Sequence, residues 1–316
     1  MTLNDNELLP SARAVYALRS LYLNAGYRRY KVSKLEEYDL YAENKSFLSD
    51  KSILTFTDTD GRLMALKPDI TLSIIKNTKD TSGMQKVFYN EYVYRGGTGG
   101  FKEIMQTGLE CIGDIDAHSA SEVISLAYQS LGRIGDSFLL DISHMGFVTG
   151  LIDEITDDSS RRALLMSAVG AKSTDTVKEI CRKSGADEKA ENALCQVCSM
   201  YGSAREILEK SRALALNGAM KTALCELSAI ADDMERRGLS DKLRIDFSIL
   251  NDTNYYNGII FKGFIDGIAQ SVLSGGRYDS LLEKLGRKSG AIGFAVYLDS
   301  LDRLSADMNG GDTIGG

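Results

Sequence analysis

The stretch KVFYNEYVYRGGTGGFKEIMQTGLECIG, residues 86–113, decides the fold class. Lys86 to Arg95 and Ile104 to Gly113 are rich in β-branched and aromatic residues, and the glycine-rich run Gly96 to Gly100 lies between them. So short a connection requires the two strands to pair antiparallel, because a parallel pair needs a crossover of a dozen residues or more. The same placement excludes a phosphate-binding loop. A phosphate cradle opens a helix, whereas these glycines join two strands.

Working outward, His118 to Leu131 reads as a helix and Ser137 to Ile142 as a strand. Upstream, Pro10-Ser11 opens an amphipathic helix with Val15, Leu18, Tyr22 and Ala25 on one face, and Gly26 is placed to end it. A β-rich run from Ile53 to Met64 is broken by the turn signal Asp58-Thr59-Asp60-Gly61, and Leu66-Lys67-Pro68-Asp69 leads into a helix through Ile74 and Ile75. Downstream, residues 151–239 carry helical spacing without a convincing strand. Strands resume at Leu243 to Leu250, Tyr256 to Phe264 and Gln270 to Leu273; Ser274-Gly275-Gly276-Arg277-Tyr278-Asp279 then precedes a helix, and a last helix is expected from Phe294 to Leu304.

Hairpin-joined strands on both sides of a helical block predict an α+β fold, an antiparallel sheet flanked by helices, rather than a doubly wound parallel sheet. The expected organisation is a core of residues 1–150 and 240–306, an all-helical insertion at 151–239 and a disordered tail at 307–316.

The formal net charge of −7, with no basic block, argues against a surface that neutralises nucleic-acid phosphates. The amino-terminal residues form no leader and no stretch approaches a membrane span, so a cytoplasmic protein is expected. The close pair Cys195 and Cys198 has no companion ligands, and His118 and His144 each stand alone, so neither a metal site nor His-based catalysis is expected. Polar residues recur instead where strands begin or end: Asp69, Thr71, Arg95, Gln106, Glu110, Tyr255, Tyr256, Arg277 and Tyr278. Gln106 and Glu110 are four apart, which on a strand puts them on one face.

Five segments in register resemble the catalytic core of histidyl-tRNA synthetase, a class II aminoacyl-tRNA synthetase. They are Leu66 to Thr71, Val93-Tyr94-Arg95 with Gln106 to Glu110, Tyr255 to Phe261, Gly275 to Asp279, and Ala291 to Phe294. The resemblance spans Leu8 to Leu304 and implies a class II synthetase-like fold with a histidine pocket. Asp69, Thr71 and Gln106 fall where that family holds the α-ammonium, and Arg95 where it meets the carboxylate. Glu110, Tyr255 and Tyr256, with Tyr278 beside them, fall where it meets the imidazole.

The departures matter as much. The third-motif arginine is replaced by Ser300, an arginine before the tyrosine pair by Asn251, and the second-motif loop keeps only Lys102 of its positive charges. Stabilising charge that develops on a triphosphate normally needs arginine or metal clamps, so amino-acid activation is expected to be lost. The first-motif proline is missing near Ser33, and the tRNA-reading carboxy-terminal domain is absent from the sequence.

This pattern resembles the regulatory subunits of ATP phosphoribosyltransferase. It implies a dimeric non-enzyme that binds L-histidine and partners the short-form catalytic subunit in the first step of histidine biosynthesis, with no cofactor and no tRNA. A truncated histidine-activating enzyme and a scaffold with a vestigial pocket are the competing readings.

Overall fold

The computed structural model describes residues 8–44, 48, 53–80, 83–97, 99–250 and 256–302. In chain order the elements are α1 (Pro10–Asn24), β1 (Arg28–Arg29), β2 (Leu35–Glu37), α2 (Asp39–Glu43), β3 (Thr55–Thr57), β4 (Leu63–Leu66), α3 (Ile70–Asn77), β5 (Gln85–Gly97), β6 (Gly100–Gly113) and α4 (Ala117–Ile134). Then come β7 (Phe138–His144), α5 (Met145–Asp153), α6 (Ser159–Gly170), α7 (Thr174–Ser184), α8 (Glu188–Ser199), β8 (Tyr201–Ser203), α9 (Ala204–Arg212) and α10 (Gly218–Arg236). The chain closes with β9 (Leu243–Asp246), β10 (Ile259–Ile265), β11 (Leu273–Arg277), α11 (Asp279–Lys284) and β12 (Gly290–Tyr297).

The main sheet runs β1-β5-β6-β12-β11-β10-β7-β9-β8. From β5 to β7 every pairing is antiparallel; β1 joins β5 and β9 joins β7 in parallel. A small antiparallel sheet, β2-β4-β3, stands beside it.

Side-chain alternation splits the main sheet into two unlike faces. Met105, Leu109 and Cys111 of β6 join Phe88, Ile292, Phe294 and Val296 in the core built with α1 and α4. On the other face Ile104 and Ile112 pack with Val93, Ala291 and the buried side of α3 and α11. Between those two isoleucines this second face carries Gln106 and Glu110, both buried.

Three expectations are corrected. Phe294 lies in β12 rather than at the start of a helix, and helix begins at 299 and runs to 302, the last described residue. The strand expected over Gln270 to Leu273 lies instead at Leu273–Arg277, so Ser274-Gly275-Gly276-Arg277 belongs to β11. Both glycines face close neighbours: a Cβ on Gly276 would lie 2.6 Å from the Tyr256 ring, and one on Gly275 would meet the β12 backbone. The helical block also contains β8, which pairs with β9 and so fastens that block to the sheet edge. Residues 303–316, with the expected tail, lie outside the described residues.

The helical block shares the main apolar core, which runs without a break from Ala14 of α1 to Met234 of α10. Phe147 of α5 stacks on Phe247 with ring centroids 4.5 Å apart, both fully buried. Lys172 reaches Asp246 at 2.8 Å, and His144 at the end of β7 meets Glu226 of α10 at 3.0 Å. Gly146 N–H donates to Nδ1 of that histidine, so in the neutral ring Nε2 carries the proton towards Glu226. Phe147→Ala is expected to cost about 3–5 kcal/mol of stability, read from denaturant unfolding as a lowered midpoint.

Candidate functional site

Of the polar residues singled out in the sequence, Asp69, Thr71, Arg95, Gln106, Glu110, Tyr256 and Tyr278 meet on the second face of the sheet. Asp69 caps α3 through a hydrogen bond from Leu72 N–H at 3.0 Å, which puts Thr71 in the first helical turn. From there Thr71 donates its hydroxyl to Glu110 Oε1 at 2.7 Å. Tyr278, the residue before α11, donates to Glu110 Oε2. The carboxyl of Glu110 is 1% exposed, and among the described residues no cation forms an ion pair with it.

Burial dominates its electrostatics. It lifts the Glu110 pKa from 4.5 to about 8, against the opposing hydrogen bonds from Tyr278 and Thr71 and with a further push from the charge of Asp69. Glycine makes room for it, because a Cβ on Gly293 of β12 would collide with the carboxyl group.

Arg95 stands at the other end. Its Nε donates to the Pro68 carbonyl at 2.9 Å and its Nη2 lies 3.8 Å from Asp69 Oδ2, so the chain itself holds the guanidinium over the start of α3. Gln106, on the face shared with Glu110, has a buried Nε2 without a hydrogen-bond partner. Tyr256 packs edge-on against Tyr278 with centroids 6.4 Å apart. Tyr255 and Asn251 lie outside the described residues, while Arg277 is engaged by Asp279 at 2.7 Å.

Sequence reasoning missed two phenols. Tyr89 of β5 is buried opposite Gly108, and burial pushes its pKa well above the ordinary value, with Glu110 and Asp69 adding to the rise. Its signal was even spacing from Arg95, which assigns both to one face. Tyr297 sits at the end of β12, opposite Gln106. Burial raises its pKa too, and Arg95 opposes the rise.

A buried lysine lies under the same motif. Lys67 is fully enclosed and lies 3.5 Å from Glu91, the residue opposite Gln106, and burial lowers its pKa. Among the described residues no group of three or more His, Cys, Asp and Glu side chains could hold a metal ion, and no helix is long and apolar enough to cross a membrane.

The chain matches known proteins along almost its whole length. The histidyl-tRNA synthetase family profile covers residues 4–301. An ATP phosphoribosyltransferase regulatory subunit from Clostridium kluyveri is 31% identical over 303 residues, 93% of this chain and 77% of the relative. The chain belongs to the histidyl-tRNA synthetase-like family of ATP phosphoribosyltransferase regulatory subunits.

Solved structures agree with that family. One of an ATP phosphoribosyltransferase regulatory subunit/histidyl-tRNA synthetase from Bacillus halodurans superposes with a TM-score of 0.84 at 26% identity, covering 93% of this chain and 79% of that one. An ATP phosphoribosyltransferase complex from Thermotoga maritima shares the fold, with a TM-score of 0.73 at 18% identity and coverage of 94% and 98%.

The Glu110 environment has a pH signature. Between pH 4.5 and about 8 the folded chain holds a proton there that the unfolded chain has released, so this group's contribution to stability falls as pH rises through that window. Glu110→Gln should remove the dependence. Chemical unfolding at pH 5 and pH 8 should show the wild type losing on the order of a few kcal/mol more than the variant over that rise.

Proposed function

We propose that this chain is a non-catalytic, dimeric, cytoplasmic subunit that binds L-histidine and assembles with a short-form ATP phosphoribosyltransferase catalytic subunit, making the first step of histidine biosynthesis answer to its end product. The observation that carries the reading is the buried carboxyl of Glu110, which has no ion-pair partner among the described residues. An imidazole offers it a proton donor, and an imidazolium would also supply the missing charge. The phenols of Tyr278 and Tyr256 flank that position.

At the far end Asp69, Thr71 and Gln106 suit an ammonium, and Arg95 presents a planar fork to a carboxylate. The spacing from Glu110 to Gln106, four strand residues or about 13 Å, spans a pocket of amino-acid length with its lining side chains.

The case against catalysis is chemical. Ser300 stands in place of the third-motif arginine, and Lys102 is the charge kept in the second-motif loop. A pocket with the amino-acid groups kept and the triphosphate clamps gone can sense but not activate. The net charge of −7 fits a chain that does not bind tRNA. The names of the relatives supply the partner. Regulation then means that histidine binds the inhibited assembly more tightly than the active one, by a coupling free energy that works in both directions.

Co-purification with a short-form catalytic subunit should give a complex whose phosphoribosyltransferase activity falls when L-histidine is added. ATP–pyrophosphate exchange with L-histidine should stay at background, and turnover there would restore the activating-enzyme reading. Calorimetric titration of the complex should show Thr71→Val and Arg95→Gln each weakening histidine by about 1–3 kcal/mol, the scale of a lost buried or charged hydrogen bond.

A further inference from the structure

We propose that Tyr297 sets the length limit of the pocket at its head-group end, so that the site takes a free α-amino acid and refuses one extended at the α-carboxyl. The inference rests on the amino-acid reading above and adds a specificity determinant to it.

The β12 residues on the polar face are, in order, Ala291, Gly293, Ala295 and Tyr297. Their partners on β6 are Ile112, Glu110, Gly108 and Gln106. Past Glu110, therefore, the floor is built from Gly293, Ala295 and Gly108, with Gly276 and Ser274 continuing it on β11. Small residues here leave room for neighbours from outside β12: the Tyr89 phenol stands over Gly108 and the Tyr256 ring over Gly276. Tyr297 is the first bulky side chain on β12 to rise from the floor.

Register fixes which end it closes. Tyr297 stands opposite Gln106, whereas Gly293 stands opposite Glu110, whose carboxyl accepts from Tyr278 at the other end. Its backbone has little freedom to withdraw, because Tyr297 N–H donates to the Val272 carbonyl at 2.8 Å and Leu298 N–H to Met105 at 3.1 Å. Asp299, one residue further, accepts from Met105 N–H at 3.4 Å. A strand end pinned on both sides holds the ring at the pocket mouth. A group attached to a carboxylate at Arg95 would have to occupy the volume of that ring.

The experiment compares two amides of equal charge and unequal length, with L-histidine as the reference ligand. L-histidine, L-histidinamide and L-histidine benzylamide are titrated calorimetrically into the protein assembled with its catalytic subunit. In the wild type the benzylamide should bind at least about 30-fold more weakly than the amide, the scale of forcing a ring into an occupied space.

Tyr297→Ala should bring the two within about threefold, and Tyr297→Phe, which keeps the ring, should preserve the gap. Tyr297→Leu, with a smaller side chain, should fall between them and serves if the alanine variant does not fold. A wild type that binds the amide and benzylamide equally, or a gap that survives both Tyr297→Ala and Tyr297→Leu, overturns the inference and leaves histidine binding standing. Absence of L-histidine binding by the wild-type assembly would remove the amino-acid reading and this inference together.

Discussion

A carboxyl group enclosed on the face of a β-sheet, met among the described residues by two hydroxyls and no cation, is the constraint around which the rest of this molecule is arranged. Such a group is expensive to bury in its charged form, so the fold keeps it with its proton at neutral pH. Holding it there requires a rigid floor. Long antiparallel strands supply the floor, glycine opposite the carboxyl supplies the space, and α3 brings the first of the two hydroxyls within reach. The apolar face of the same strands, packed on α1 and α4, keeps the floor from shifting.

The cations of the site are arranged differently. Arg95 is tied to a backbone carbonyl and lies within ionic reach of Asp69, so it is positioned before any ligand arrives. Preorganisation of that kind lowers the ordering cost of binding. Under the proposed reading the two ends would pose separate demands, a donor ring at Glu110 and a compact zwitterion at Arg95, and one small molecule meeting both would be bound more selectively than by either alone.

Much of this was legible in the sequence wherever local pattern and tertiary context agree. The β5–β6 hairpin follows from its alternation and its glycines, and the even spacing of Gln106 and Glu110 gave their shared face. Pro68-Asp69 signalled the start of α3, and the structure adds the cap. The failures are physical too. In β12, Phe294, Leu298 and Leu301 repeat at helical spacing while Ile292, Phe294 and Val296 repeat at strand spacing, and only packing decides between the periods. That ambiguity hid Tyr297. In β11 the strand was expected to end at Leu273 because paired glycines have poor strand propensity, yet close neighbours leave no room there for larger residues. Three residues of β8 are too few to show a period, and they form a strand because β9 is beside them.

The unbroken core that joins the helical block to the sheet has a consequence for how a signal could leave the pocket. Apolar contacts run from α1 to α10 with aromatic stacking, one ion pair and the His144–Glu226 hydrogen bond along the way, so among the described residues no weakly packed seam separates the block as a hinged lever. Communication through such a body favours small sliding adjustments of packed helices, or a change in the fit between subunits, over a swing of one half against the other.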